Sequence, residues 1–403
     1  MRIVVAPDKF KGCLRADEVA EAMARGVKLA CPQTQVDLCP MADGGEGMVS
    51  AMVRSTGGKI VRRIVTGPLV GMQVEAPIGL LGDGSTAVIE MASASGLALL
   101  SPDQRNPLRT TTYGTGQLIK HAVQLGARRI ILGIGGSATV DGGIGCAQAC
   151  GATIIFENGT PYSSGGRRLT GADVANVLKV QPVKAPAEKP SDDKTLVRRK
   201  PARAAAGPPS EFAGVEFIVA CDVGNPLFGP DGAAPIFGPQ KGATPEQAEY
   251  LDAALRKLAG RSGRPDLADA PGAGAAGGLG FGMMAFFGAT LRSGVEIVME
   301  AMKLRQRLAG ADLCLTGEGR LDGQSAAGKT AVGVGRLCHE LHIPCIAIAG
   351  SIGPGAQAVY EQGINAYFSI CDRPMTLEEA MENAAPLLTQ AAANVLRLRQ
   401  TIR

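Results

Sequence analysis

Several short strings set charged groups among glycines where an apolar run gives way to a helical pattern. The clearest is Gly133-Ile134-Gly135-Gly136-Ser137-Ala138-Thr139-Val140-Asp141-Gly142-Gly143, which combines consecutive glycines with two hydroxyls and a carboxylate. Glycines let backbone amides approach anionic oxygens, and a following helix N-terminus favours negative charge. Gly135, Gly136, Ser137, Thr139 and Asp141 are therefore candidates for holding phosphate oxygens and a bound metal. The string is not a P-loop, because no Gly-Lys-Ser/Thr ends it, and it lacks the third glycine of the dinucleotide fingerprint.

Other strings share that placement. Asp8-Lys9-Phe10-Lys11-Gly12 offers two cations beside an acid, and Asp43-Gly44-Gly45-Glu46-Gly47 offers two acids. Lysines there could neutralise a carboxylate or a transferring phosphoryl group, and acids could hold Mg²⁺ or orient a hydroxyl. Gly317-Glu318-Gly319-Arg320-Leu321-Asp322 reads as a third loop on the same rim. Cys221-Asp222-Val223-Gly224-Asn225 and Phe237-Gly238-Pro239-Gln240-Lys241 add two more. Any one of these could be only a tight turn, but ligands bind at strand ends in open α/β sheets. Together the loops suggest a cleft where a small anionic substrate meets a polyphosphate. Phosphoryl transfer needs positioning, cations on the phosphates and an aspartate for the attacking hydroxyl.

The elements that must carry these loops follow a strand–loop–helix grammar at both ends of the chain. Arg2 to Ala6 and Val36 to Cys39 read as buried strands, each followed by a loop and a helix; Val19, Met23 and Val27 share one helical face. The C-terminal third repeats the pattern: helix Val295 to Leu308, strand Ala311 to Leu315, loop Thr316 to Gln324, helix Lys329 to His342, strands from Pro344 and Ala366, and a last helix from Leu377. Such alternation implies a doubly wound, Rossmann-like parallel sheet built from residues 1–66 and 290–403. Residues 67–289 open instead on alternating strands joined across Gly82-Asp83-Gly84-Ser85, which predicts a second, mixed α/β domain inserted into the first. Within it, Lys179 to Pro209 has six Pro, no apolar period, and eight Lys and Arg against three acids up to Arg203, and reads as a disordered basic surface loop.

Composition narrows the function classes. Of 403 residues, 45% are hydrophobic, 19% charged and 55 are Gly, so the chain is neither disordered nor, lacking a period of three, collagenous. A formal net charge of +4 is too small to imply nucleic acid, and the basic loop has no aromatic residue to stack bases. Ten cysteines without a CxxC pair read as reduced core residues, and three His at no ligand spacing to them make a zinc site unexpected. No signal peptide precedes the first strand, which predicts a cytoplasmic protein. The uncharged segment Pro271 to Leu291 holds seven Gly and is expected to be a buried loop and short helix, not a membrane span.

The strings listed above, with Gly272-Ala273-Gly274-Ala275-Ala276-Gly277-Gly278 and Arg373-Pro374-Met375, occur in an order that resembles bacterial glycerate kinases of the type-1 family over nearly the entire chain. The resemblance implies two α/β domains with the active site in the cleft between them. It also implies transfer of the γ-phosphoryl of ATP, with Mg²⁺, to D-glycerate, mostly at the 2-hydroxyl. Under that reading Asp222 orients or deprotonates the hydroxyl, and Lys9, Lys11 and Arg320 neutralise charge. Gly135, Gly136, Ser137 and Thr139 cradle phosphate, with Asp141 and Lys241 beside them. Asp8, Asp43, Gly44, Glu46 and Asn225 touch substrate, and Glu318 and Asp322 hold the metal. A homo-oligomer is compatible with it; neither nucleic acid nor membrane is a partner. Phosphorylation at the 3-hydroxyl, a kinase of another small hydroxy acid, and a non-catalytic protein binding through its basic loop are the alternatives. Two features depart from the family pattern: the long insertion at 179–209, and Val140, where a polar residue would be expected.

Overall fold

The computed structural model describes residues 1–42, 47–163, 166–183, 210–323, 325 and 330–401. In chain order the strands are β1 (Arg2–Val5), β2 (Gln35–Leu38), β3 (Lys59–Thr66), β4 (Gln73–Leu80), β5 (Thr86–Glu90), β6 (Arg129–Gly133), β7 (Thr153–Phe156), β8 (Pro161–Tyr162), β9 (Val177–Gln181), β10 (Glu216–Ala220), β11 (Thr290–Arg292), β12 (Leu313–Leu321), β13 (Cys345–Ile352) and β14 (Ala366–Ser369). They fall into two compact units, residues 1–57 with 293–403 and residues 58–292.

The first unit is a five-stranded sheet in the order β14-β13-β12-β1-β2, parallel throughout. Its central strands are buried on both faces, as a sheet wound on both sides requires. Ile3, Val5, Leu313 and Leu315 pack with Val19, Met23 and Val27 of helix Ala16–Ala30 and Leu388 and Leu396 of helix Ala384–Thr401. With a strand period of two, Val4 and Cys314 face the other side, where Cys314 meets Cys338 of helix Thr330–Glu340. Thr389 ties the first two helices together by donating its hydroxyl to the Ala22 carbonyl at 3.0 Å.

The second unit holds a six-stranded sheet in the order β11-β10-β6-β5-β4-β3 and a small sheet β8-β7-β9. The run from β11 to β5 is parallel, while β4 and β3 are antiparallel additions, so the sheet is mixed. Strand β3 was expected N-terminal to the boundary at residue 66; its full-length pairing with β4 puts it in the second unit. Val177–Gln181 forms β9 against β7, so the expected basic loop begins later than Lys179. Residues 184–209, with its basic run, lie outside the described residues.

Two further expectations shift. Helix Val295 to Leu308 is two helices, Gly294–Ala301 and Leu304–Leu308, because Lys303 takes φ +53 between them. The C-terminal helix likewise divides into Leu377–Glu382 and Ala384–Thr401. Among the described residues no helix is long and apolar enough to cross a membrane. The uncharged glycine segment is buried, as expected, and holds helix Ala275–Phe287 with non-helical backbone at Ala276, Gly277 and Gly278.

Gly277 shows why a side chain is missing there. Its φ is +68, its carbonyl accepts from the Gly142 amide at 3.0 Å, and a Cβ would sit 1.9 Å from the Thr139 carbonyl oxygen. Gly277→Ala combines left-handed backbone with a backbone clash and is expected to destabilise the second unit by about 3–5 kcal/mol. Calorimetry should show the melting temperature falling by roughly 10 °C; an unchanged melt would show that the turn yields freely.

Candidate active site

In the second unit, β5, β6 and β10 run parallel with Glu90, Gly133 and Ala220 in register. Residues following these strands emerge at one edge, so Gly135, Gly136 and Asp222 follow the carboxyl ends of neighbouring strands, and all three are exposed. The turn is strapped down by two backbone bonds, Leu97 N to Gly136 O at 2.8 Å and Ala138 N to Ser95 O at 2.9 Å. Gly136 turns the chain with φ +75. Among the described residues no carbonyl or side chain accepts from the amides of Gly135 and Gly136. Consecutive exposed N–H groups at a strand end are a ready anion nest.

Beneath this turn the loop is closed by buried polar groups. Lys241 is 2% exposed, and its Nζ donates to Ser137 Oγ and to the Thr139 carbonyl, both at 2.8 Å. Burial pulls the Lys241 pKa down to about 7, and the charge of Asp141 counters this only in part. Ser137 and Thr139 are themselves buried, and Thr139 Oγ1 is a buried oxygen with no hydrogen-bond partner among the described residues.

Asp141 lies deeper still. It is fully buried, and its carboxylate accepts Thr112 N and Oγ1 at 2.8 Å each and Gly143 N at 3.1 Å. Burial pushes its pKa up against the pull of those donors. Asp141 thus shapes the loop from inside. Sequence reading passed over Thr112, although Thr110, Thr111 and Thr112, all buried, formed a legible run of hydroxyls before helix Tyr113–Gln124. Val140, the expected polar position, is fully buried in the core. Asn225 Nδ2 donates to the Asp231 carbonyl at 2.8 Å, which braces its own loop.

The first unit gathers a second group where β1 and β12 end. Asp8 N donates to the Gly317 carbonyl at 2.8 Å, joining the two segments. The Asp8 carboxylate is buried and accepts Lys9 N at 2.7 Å and Thr330 Oγ1 at 2.6 Å. Lys9 is half-buried and Lys11 exposed. The expected loop Thr316 to Gln324 is instead mostly strand: β12 leaves β1 after Leu315 but stays paired with β13 as far as Leu321 with Ile352. Its glycines read as turn chemistry, yet a Cβ on Gly317 would meet the Ile348 carbonyl at 2.1 Å, so here glycine serves close strand pairing. Glu318 is consequently buried in the strand, and Arg320 projects from its end. Arg320 Nε lies 3.1 Å from Asp322 Oδ2, with the arginine side chain 64% exposed. A pair this wet is worth about 0–1 kcal/mol, so it aims the arginine more than it stabilises the fold. The expected substrate residues Asp43, Gly44 and Glu46 lie outside the described residues.

The second unit carries exposed glycines and an aspartate after its parallel strands and the first unit carries lysines and an arginine, and the carboxyl ends of parallel strands are where open α/β sheets bind ligands. The comparisons specify the family. The sequence profile of the glycerate kinase family matches residues 3–400. The chain is 43% identical to a glycerate kinase of Bacillus subtilis strain 168 over 98% of its length and 97% of that protein. It is also 43% identical to a glycerate 2-kinase of Escherichia coli strain K12, with the same coverage. A crystal structure from Salmonella typhimurium LT2 assigned as glycerate kinase 2 is 42% identical, covers 100% of this chain and 98% of that one, and superposes with a TM-score of 0.83. The chain belongs to the glycerate kinase family. Membership implies a nucleotide phosphoryl donor and an alcohol acceptor.

Proposed function

We propose that this protein transfers the γ-phosphoryl group of ATP to the 2-hydroxyl of D-glycerate, giving 2-phosphoglycerate. The observation that carries the reading is the pair of exposed, unengaged amides at Gly135 and Gly136 beside Asp222, in a chain of this family. Two small backbone donors backed by the buried Lys241 ammonium suit phosphate oxygens. Asp222, exposed at the end of the neighbouring strand, orients the glycerate hydroxyl and takes its proton as the bond to phosphorus forms. In the first unit, Lys9, Lys11 and Arg320 are cations of the kind that neutralise carboxylate and phosphoryl oxygens.

The donor set also fits Mg²⁺, a hard cation that takes carboxylate oxygens. Glu318, buried in β12, and Asp322, which follows that strand, are the residues that would hold it. Bound there, the ion would neutralise charge on the phosphates. The orphaned Thr139 hydroxyl adds a polar atom near the phosphate turn that the protein alone leaves unmatched.

A coupled ADP-release assay over a panel of small hydroxy acids, followed by phosphorus NMR of the product, tests the reading. The expected result is the highest kcat/KM with D-glycerate and a single 2-phospho ester. A better substrate elsewhere in the panel would overturn the acceptor, and a 3-phospho ester would overturn the position.

A further inference from the structure

Three cysteines far apart in sequence converge inside the first unit, away from the strand-end groups described above. Cys314 is the second residue of β12, Cys338 lies near the end of helix Thr330–Glu340, and Cys345 begins β13. β12 and β13 put Cys314 and Cys345 directly in register, and helix Thr330–Glu340 brings Cys338 over them. All three side chains are completely buried, all are free thiols, and their sulfurs lie within 4.8 Å of one another. The other seven cysteines are also free, and among the described residues no second group of three ligating side chains forms.

We propose that these three sulfurs form a binding site for a single soft, monovalent metal ion of the Cu(I) class. An ion about 2.3 Å from each sulfur, the length of a zinc–thiolate bond, would hold sulfurs roughly 4 Å apart. That separation lies inside the observed span. Sulfur-only ligation selects soft ions over Mg²⁺ or Ca²⁺. Zinc is disfavoured by ligand count: its structural sites take four ligands and its catalytic sites admit water. Here no fourth His, Cys, Asp or Glu among the described residues joins the group, and the site is closed to solvent. Three-coordination without water is ordinary for Cu(I).

Charge favours a monovalent ion as well. A single thiolate is enough to neutralise a monovalent ion, and in an apolar core uncompensated charge is expensive. Binding is then lone-pair donation from three sulfurs to an ion that enters and stays as Cu(I). No electron changes hands, and any thiol proton displaced goes to solvent. The segment Leu341–Pro344 joins the helix to β13, and His339, Glu340 and His342 are exposed beside it in sequence.

The test is an anaerobic titration of the reduced full-length chain with Cu(I) against a bicinchoninate competitor, with sulfur ligands counted by X-ray absorption. The expected result is one ion per chain bound by three sulfurs, at least tenfold weaker binding in Cys338→Ala, and no change in Cys371→Ser, which removes an exposed thiol. Undiminished binding in a folded Cys338→Ala chain, or loss on Cys371→Ser, would mean adventitious uptake and overturn the proposal. Should the alanine variant fail to fold, the wild-type sulfur count decides alone, and fewer than three sulfurs overturns the site. None of these readouts involves glycerate turnover.

Discussion

Replacing Lys241 by Met is expected to lower kcat/KM for glycerate about 100-fold and to remove a rise in stability between pH 7 and 10.5. The ammonium makes two hydrogen bonds into the glycine turn after β6, to Ser137 Oγ and the Thr139 carbonyl. Bonds to charged groups contribute about 1.5–3 kcal/mol each. If half of that total, about 1.5–3 kcal/mol, keeps Gly135 and Gly136 aimed in the transition state, the loss is roughly 10- to 150-fold at 1.36 kcal/mol per decade, with 100-fold toward the upper end. Methionine keeps the volume of the side chain, so the turn loses its donor without a large cavity.

The accompanying pH effect has a definite sign. The folded pKa is lowered to about 7 from the ordinary 10.5, so between those values the unfolded chain holds a proton that the folded chain has released. Stability attributable to Lys241 therefore rises with pH across that window and is lowest below pH 7, where the buried charge must be carried. The methionine variant lacks this slope. Compared with wild type it should melt relatively higher at pH 6 and lose that advantage toward pH 10, as followed by calorimetry at several pH values. A wild-type activity with no such difference in slope would show that Lys241 neither titrates nor supports the turn.

The second large effect is on chemistry alone. Asp222→Asn is expected to cut kcat by at least ~10²-fold, the usual scale for loss of a general base. Asp222 is exposed at the end of β10, so the amide should leave the melting temperature nearly unchanged. KM for glycerate should move little, because the amide can still hold the hydroxyl while being unable to take its proton. Steady-state kinetics separates these quantities, and near-wild-type turnover would remove Asp222 from the mechanism.

Much of this arrangement was legible in the amino-acid string. The alternation of apolar runs and amphipathic helices marks both ends of the chain as one parallel α/β unit because buried strands and half-buried helices need different periods. The glycine turn after β6 and the aspartate after β10 stand out because both break an apolar run abruptly. The continuation of β12 through Gly317 and Gly319 was not legible. Glycine signals a turn locally, and only the neighbouring β13 shows that it serves close pairing.

The sequence by itself thus determined most of the elements, their order, the glycine turn after β6 and the kinship, since each is written in local spacing. What only the tertiary structure decided are relations between distant residues. Lys241 became the buried brace of a turn a hundred residues earlier. Asp141 was drawn inward onto Thr112, 29 positions away. Three scattered cysteines met in one core. Register between strands and packing of helices set those approaches, and neither is a property of any short stretch of chain.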